Sequence, residues 1–173
     1  MSEDKSPIAV VGAGSWGTAL ALQFARSDRP VRLWGRDSAQ LEAMAKTRSN
    51  ERYLPGVSFP DNLVVEPDLE RCVRGADDIL ISVPSHGLRE TLIRVAPLLD
   101  DKARVSWATK GFELSTGKLP HQVAVEILGN RRPLAVLSGP TFAKEVGEGL
   151  PTAMTIAAND PDFAGALATT LSL

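Results

Sequence analysis

Three glycines near the start of the chain constrain its fold more than any other feature. Gly12, Gly14 and Gly17 lie in the stretch "VVGAGSWG", between the apolar run Ile8–Val11 and the amphipathic segment Ser15–Arg26. This is the pattern G-x-G-x-x-G between a strand and a helix. Gly12 permits a tight turn, Gly14 leaves bare main chain at the helix start, and Gly17 lets helix and strand pack closely. The stretch predicts a βαβ unit whose helix amino terminus can bind the diphosphate of a dinucleotide.

Short apolar runs alternate with amphipathic segments along the rest of the chain. Further strands are predicted at Val31–Trp34, Leu63–Val65, Ile79–Val83, Arg104–Trp107 and Leu134–Leu137. Further helices are predicted at Ser38–Lys46, Pro67–Val73, Ser85–Leu99 and Lys118–Leu128, and from Pro161 onward behind an Asp160 cap. Because several strands are apolar on both faces, we expect a doubly wound α/β fold with a mainly parallel sheet between helix layers.

Composition excludes several classes of protein. The 173 residues carry 19 basic and 21 acidic side chains, for a formal net charge of −2, and no basic block that nucleic acid would need. No apolar run is long enough for a signal peptide or a membrane span. The single cysteine, Cys72, cannot form an internal disulfide or a multi-thiolate metal site. We therefore expect a cytoplasmic protein with no metal, no nucleic-acid partner and no membrane association.

The end of the second predicted strand bears on the choice of dinucleotide. An NAD-preferring site usually has Asp or Glu there to accept from the adenosine ribose, whereas this chain has Arg36 and then Asp37. A guanidinium can pair with a ribose 2′-phosphate through charge-assisted hydrogen bonds. The sequence predicts NAD(P)H as cofactor with NADPH favoured. Use of both cofactors stays open because Asp37 can reach the ribose after a small rotation, and Arg36 can also be an ordinary solvated arginine.

Three later loops follow predicted parallel strands, at the sheet edge where ligands bind. They are "SVPSH" at 82–86, "ATKG" at 108–111 and "SGPTFAKEV" at 138–146. Lys110 is predicted to carry its ammonium to a substrate oxygen or phosphate, and the alternative is a lysine that reaches from the sheet edge to water. Gly139 and Thr141 can offer a main-chain N–H and a hydroxyl to the same anion, or can end a strand and cap a helix. His86 is predicted to cap a helix or pack on the cofactor rather than transfer a proton.

Two features at irregular positions leave alternatives open. The stretch Arg48–Pro60 is a long loop, which is uncommon inside a compact domain unless it is functional or disordered. After Asp160, Phe163, Leu167 and Leu171 recur every four residues up to the last residue, with no helix stop signal. A natural terminal helix and a longer protein cut at a domain boundary explain this end equally well.

The loops taken together are more specific than the glycine turn. "GAGSWGTALA", "NERYLPG", "SVPSH", "TKGFE", "SGPTFAKEV" and "GLPTA" occur in this order. From Ile8 onward the chain resembles the amino-terminal, Rossmann-type domain of bacterial-type NAD(P)-dependent glycerol-3-phosphate dehydrogenases. The resemblance implies reversible hydride transfer between NAD(P)H and dihydroxyacetone phosphate, which gives sn-glycerol 3-phosphate for phospholipid synthesis.

The resemblance also implies a domain organisation and a set of cofactor and substrate contacts. It implies that residues 1–173 are one NAD(P)-binding domain, that a helical domain with the acid–base lysine is missing, and that the full-length protein is a possible homodimer. The implied cofactor contacts are Ser15, Trp16, Arg36, Tyr53, Lys110 and Ala143. The implied substrate contacts are Lys110, Gly139 and Thr141. The fragment is expected to bind cofactor but to be inactive alone.

Two other functions compete with this hypothesis. A related hydroxyacid dehydrogenase, such as a ketopantoate or 3-hydroxyisobutyrate type, explains the glycine turn and Lys110 but not "NERYLPG" together with "SGPTFAKEV". A non-catalytic NAD(P)-sensing module predicts that a partner covers the apolar face of Phe163, Leu167 and Leu171.

Overall fold

The computed structural model describes residues 5–172 of the chain. In this range the strands are β1 (Ile8–Val11), β2 (Val31–Trp34), β3 (Ser49–Asn50), β4 (Leu54–Ser58), β5 (Leu63–Val65), β6 (Asp78–Ile81), β7 (Arg104–Trp107), β8 (Leu134–Ser138) and β9 (Thr155–Ala158). The helices are α1 (Ser15–Ala25), α2 (Ser38–Thr47), α3 (Leu69–Val73), α4 (Ser85–Val95), α5 (Pro120–Leu128), α6 (Ala143–Glu148) and α7 (Pro161–Leu171). A single 3₁₀ turn, Ala96–Leu98, extends α4.

Seven strands form one sheet in the order β5-β2-β1-β6-β7-β8-β9. All neighbours pair in parallel except β8 and β9, which are antiparallel. Successive connections run from β1 toward β2 and then cross to β6 on the other side, so the strand order reverses beside β1. The doubly wound, mainly parallel α/β prediction is confirmed, and the reversal marks the crevice where such sheets bind ligands.

Three strands were not predicted. Strands β3 and β4 form a separate antiparallel hairpin within the stretch expected to be a long loop. Strand β9 closes one side of the sheet by pairing with β8, with Ser138 opposite Thr155. The hairpin lies within one segment that the sequence marks as irregular, and β9 follows another.

Helix α1 is buried along most of its length. Every residue from Gly17 to Ala25 is buried because the helix lies against the sheet and is covered by α6. Arg26, just after α1, holds α6 by donating to the main-chain oxygens of Val146 at 2.8 Å and Gly147 at 2.6 Å. Carbonyls at a helix end lack intrahelical partners, so this guanidinium fixes the short helix against α1.

Helix α7 packs on the chain's own core. Asp160 caps it by accepting from the Phe163 amide at 2.9 Å, as predicted. Phe163 and Leu167 are both buried, and the guanidinium of Arg104 lies 4.9 Å from the Phe163 ring centroid. The apolar face that the sensing-module alternative assigned to a partner is thus largely covered by β8, β9 and α1.

A buried ion cluster fixes the edge of the sheet opposite the crevice. Asp78, only 4% exposed, accepts from Arg29 at 2.6 Å and from Arg104 at 2.7 and 2.9 Å. All three lie at the amino ends of strands or just before one. Between residues 5 and 172, no helix combines the length and the hydropathy that a bilayer span requires.

Candidate functional site

Two of the three motif glycines are required by the protein's own packing. Gly12 has φ +125°, and a Cβ on it would lie 2.0 Å from the main-chain oxygen of Ser82. A Cβ on Gly17 would lie 1.9 Å from the main-chain oxygen of Gly12. The turn therefore touches both α1 and the loop after β6, as the sequence predicted for these positions.

Gly14 is different, because the protein itself has no need of glycine there. It is the N-cap of α1 with φ −76°, an ordinary value for any residue, and a Cβ would find no atom within 4 Å. The first turn of α1, which contains Ser15 and Trp16, has no acidic residue, and no side chain caps its amide groups. This open space beside free N–H groups fits a diphosphate that approaches the main chain closely.

Lys110 and Trp16 face each other across the crevice. The Lys110 Nζ lies 5.8 Å from the Trp16 ring centroid, and no described residue forms an ion pair with this lysine. The Trp16 Nε1 is buried and has no hydrogen-bond partner in the described part of the chain. A cleft of about 280 Å³ adjoins Lys110, lined also by Thr109, His121 and Ser138. The crevice thus combines a free cation, an unsatisfied donor and room for a small ligand.

The loop that carries Lys110 is held from both sides. Thr109 Oγ1 donates to the Val83 main-chain oxygen at 2.7 Å, which ties this loop to the one after β6. Farther along, Arg89 of α4 grips both carboxylate oxygens of Glu113 at 2.7 and 2.9 Å and also pairs with Glu126. Hydrogen bonds from Arg89 are the main reason that the pKa values of Glu113 and Glu126 are lowered to about 2.

The loop after β8 brings the remaining predicted substrate residues to the same edge. Gly139 packs tightly against the 153–154 segment, since a Cβ there would lie 2.6 Å from the Ala153 oxygen. The Thr141 hydroxyl oxygen is buried without a hydrogen-bond partner among the described residues. Ala143 is half-buried and begins α6. A buried hydroxyl without a partner among the described residues is a potential contact for a ligand.

The predicted adenosine end is formed by α2 and the hairpin. Arg36 is exposed and has no ion pair or hydrogen bond with residues 5–172. Asp37 caps α2 by accepting from the Gln40 amide at 3.1 Å and pairs with Arg52 at 3.2 Å. The Gln40 hydrogen bond is the largest cause that lowers the pKa of Asp37. Tyr53, in the hairpin turn, is 42% exposed and lies 5.1 Å from the Arg52 guanidinium.

Sequence reasoning missed the burial of one polar residue, Asn50, and one of the two roles predicted for His86 is not observed. Asn50 is completely buried beside the glycine turn, although it stands in a polar stretch that suggests an exposed loop. His86 does not cap α4, because the N-cap is Pro84 and no side chain bonds to the first turn. Its exposed position at the carboxyl edge leaves the cofactor-packing role as a prediction.

A larger surface groove lies away from the crevice. It measures about 590 Å³ and runs along β2 and α3, where Arg32 donates to the main-chain oxygens of Arg71 and Arg74 at 2.9 Å. Glu70 and Arg74 pair with each other in its wall. Because these charges satisfy one another, size alone does not make it the functional site. Residues 5–172 contain no group of three or more His, Cys, Asp or Glu side chains that could hold a metal ion.

The sheet, its reversal beside β1 and the glycine turn define the class of Rossmann-type dinucleotide-binding domains. Residues 7–164 match the family described as NAD-dependent glycerol-3-phosphate dehydrogenase N-terminus, and the chain belongs to this family. The resemblance stated from the loops is therefore confirmed.

Individual relatives agree with the family assignment. The chain is 51% identical over 168 residues to an NAD(P)+ glycerol-3-phosphate dehydrogenase of Xanthomonas campestris pv. campestris, covering 97% of this chain and 49% of the relative. It is 52% identical over 168 residues to that of Stenotrophomonas maltophilia, with the same coverage. The crystal structure of glycerol-3-phosphate dehydrogenase from Coxiella burnetii superposes with a TM-score of 0.92 at 45% identity, over 97% of this chain and 51% of that one. The chain spans about half the length of these relatives.

Proposed function

We propose that this chain is the cofactor-binding half of a glycerol-3-phosphate dehydrogenase. The whole enzyme would transfer hydride reversibly between NAD(P)H and the central carbon of dihydroxyacetone phosphate to give sn-glycerol 3-phosphate for phospholipid synthesis. The observation that carries the proposal is Gly14 at the start of α1, where a Cβ would meet no atom within 4 Å and the backbone φ does not require glycine. Family membership disfavours the related hydroxyacid dehydrogenase, because the matched family is that of glycerol-3-phosphate dehydrogenases.

The nicotinamide cofactor would supply the hydride, and the residues of this chain would bind and orient the cofactor and the substrate. Amide groups of the first turn of α1 would hold the diphosphate, next to Ser15 and Trp16. The Lys110 ammonium, free of ion pairs with described residues, would hold the substrate oxygen or phosphate as negative charge develops. The Thr141 hydroxyl and the Gly139 main chain would contact the same anion, and Ala143 the cofactor. The acid–base lysine would lie outside these 173 residues, in a second, helical domain.

We further propose that NADPH is preferred over NADH. Arg36 has no partner within residues 5–172, so its guanidinium can pair with a 2′-phosphate without first breaking an ion pair. Asp37 is already occupied by the Gln40 amide and by Arg52, which reduces both its repulsion of a phosphate and its availability to the ribose. Tyr53 and Arg52 would flank the adenine side. Both cofactors would bind, with NADPH tighter.

The function is tested by binding and turnover measured on the same chain. Titration with NADH and NADPH, followed by nucleotide fluorescence, should show saturable binding, while reduction of dihydroxyacetone phosphate should be negligible. Absence of binding would refute the cofactor role. Near-normal turnover would refute the claim that catalysis needs residues outside this chain.

The cofactor preference has its own test. Arg36→Asp should weaken NADPH binding at least about tenfold, the size of a lost charge-assisted hydrogen bond, and should affect NADH much less. Arg131→Asp, an exposed charge reversal in the loop before β8 at the opposite sheet edge, is the matched control and should leave both affinities unchanged. Unchanged NADPH affinity in Arg36→Asp would exclude the phosphate-binding role.

A further inference from the structure

The completely buried side chain of Asn50 binds the glycine turn directly. Its Nδ2 donates to the main-chain oxygen of Ala13 at 3.1 Å and to Thr18 Oγ1 at 2.8 Å. Its Oδ1 accepts from the Tyr53 amide at 3.3 Å. One side chain of the β3–β4 hairpin therefore connects the turn, the helix that follows it and the hairpin's own bend.

A second amide converges on the same carbonyl. The Gln40 Nε2 of α2 donates to the Ala13 oxygen at 2.9 Å. The Ala13 carbonyl thus accepts from two side chains of two different elements, on the side facing α2 and the hairpin. Two donors from different directions restrict the orientation of this peptide group more than either would alone.

Fixing that carbonyl also fixes the neighbouring amide. The Ala13–Gly14 peptide is planar and trans, so the Gly14 N–H points away from the Ala13 oxygen. Donors on a carbonyl also polarise the peptide and make its N–H a stronger donor. The Gly14 amide is the first of the α1 terminus, next to the open space described above.

We propose that Asn50 and Gln40 are positioning residues for the anion-binding turn: they hold the Ala13–Gly14 peptide so that its N–H is aimed at the cofactor diphosphate. Neither side chain needs to touch the cofactor. This inference rests on the proposed binding of NAD(P)H by the chain.

The test removes the donors while keeping side-chain size. Asn50→Asp places a carboxylate oxygen against the Ala13 oxygen, and Gln40→Met removes the second donor at a half-buried position that tolerates the change. Each variant should raise the Kd for NADH about tenfold, as expected for a misaligned hydrogen bond to a charged group. The Gly14 amide resonance in ¹⁵N–¹H spectra should shift on NADH addition in the parent chain and shift less in the variants.

A matched asparagine separates positioning from general destabilisation. Asn62 Nδ2 donates to the main-chain oxygens of Ala25 at 2.7 Å and Arg29 at 2.9 Å, at the sheet edge away from the crevice. Asn62→Asp should lower Tm but leave the Kd for NADH unchanged. If Asn50→Asp does not fold, the Kd for NADH and the Gly14 amide shift of Gln40→Met alone test the positioning role.

The outcomes are distinguishable. Parent-like NADH affinity and an unaltered Gly14 shift in the Gln40 and Asn50 variants would overturn the positioning role while leaving the proposed function intact. Equal loss of affinity in Asn62→Asp would also overturn it, because the effect would then be general. A parent chain that binds neither NADH nor NADPH would overturn the proposed function, and the inference with it.

Discussion

The ammonium of Lys110 and the indole of Trp16 are 5.8 Å apart, measured from Nζ to the ring centroid. This contact joins the loop after β7 to the first turn of α1. A cation over an aromatic face at an accessible site contributes only about 0.5–1 kcal/mol, so it orients the lysine without immobilising it.

Lys110→Met should change binding far more than stability. Because Lys110 is exposed, the free energy of unfolding should change by no more than about 1 kcal/mol. The NADPH affinity should fall on the order of tenfold through loss of a positive charge at the predicted cofactor contact. Thermal unfolding and fluorescence titration measure the two effects. Lys102→Met, which removes an exposed lysine paired with Asp77 at the other edge, should leave the affinity unchanged.

Alanine at two of the motif glycines should have opposite consequences. Gly17→Ala forces a Cβ to within 1.9 Å of a main-chain oxygen, so unfolding in urea should show a loss of about 3 kcal/mol. The Cβ of Gly14→Ala would meet no atom within 4 Å, so the free energy of unfolding should fall by less than about 1 kcal/mol. The same Cβ should crowd the diphosphate and so reduce NADH binding. Normal binding by Gly14→Ala would argue against the diphosphate position.

Asp78→Asn should be strongly destabilising, although it lies far from the crevice. The change leaves Arg29 and Arg104, both mostly buried, without their counter-ion, which typically costs about 3–5 kcal/mol. The free energy of unfolding from urea titration measures this. Glu42→Gln removes an exposed ion pair with Lys46 and should change stability by less than about 0.5 kcal/mol. Similar effects of the two substitutions would contradict the burial argument.

The Arg89 cluster predicts a loss of stability in acid. Glu113 and Glu126 have pKa values near 2 in the folded chain, against about 4.3 when unfolded. A lowered folded pKa means that their stabilisation is complete above about pH 5 and disappears as the pH falls toward about 2. Glu113→Gln should therefore be less stable than the parent at pH 7 and should lose less stability between pH 5 and 2. Urea unfolding across that range tests this, with Glu90→Gln, an exposed change on α4, as control.

Cys72 should be chemically inert while the chain is folded. Burial raises the pKa of its thiol to about 12, and only the thiolate reacts readily. An aromatic disulfide reagent at pH 8 should label the folded chain at least about a hundredfold more slowly than the chain in urea. Rapid labelling without denaturant would show that α3 opens locally.

Much of the fold follows from local pattern. Strands β1, β2, β5 and β7 were predicted with the observed bounds, because each is a short apolar run between helices or turns. Strand β9 was missed, since "TIAA" is short and partly exposed, and its antiparallel direction depends on how the preceding loop returns. The hairpin was missed because β3 has two residues and β4 contains Pro and Gly, which local propensity assigns to loops.

Part of the candidate site could also be predicted from the sequence. The carboxyl ends of parallel strands meet at one edge, so Lys110, Thr141 and the glycine turn could be grouped without coordinates. Asn50 could not be found, because no periodicity indicates that a polar residue in a polar stretch is buried. The length of that stretch and its "NERYLPG" wording in the family resemblance indicated a role for the loop, but neither indicated that Asn50 is buried.

The hairpin of β3 and β4 lies between the glycine turn and helix α6 and contacts both. Asn50 bonds to Ala13 on one side, while Leu54, four residues on, fills the space left by the missing side chain of Gly147 in α6. The hairpin therefore contacts both the glycine turn, which is assigned to the cofactor, and α6, which follows the loop of Gly139 and Thr141 assigned to the substrate.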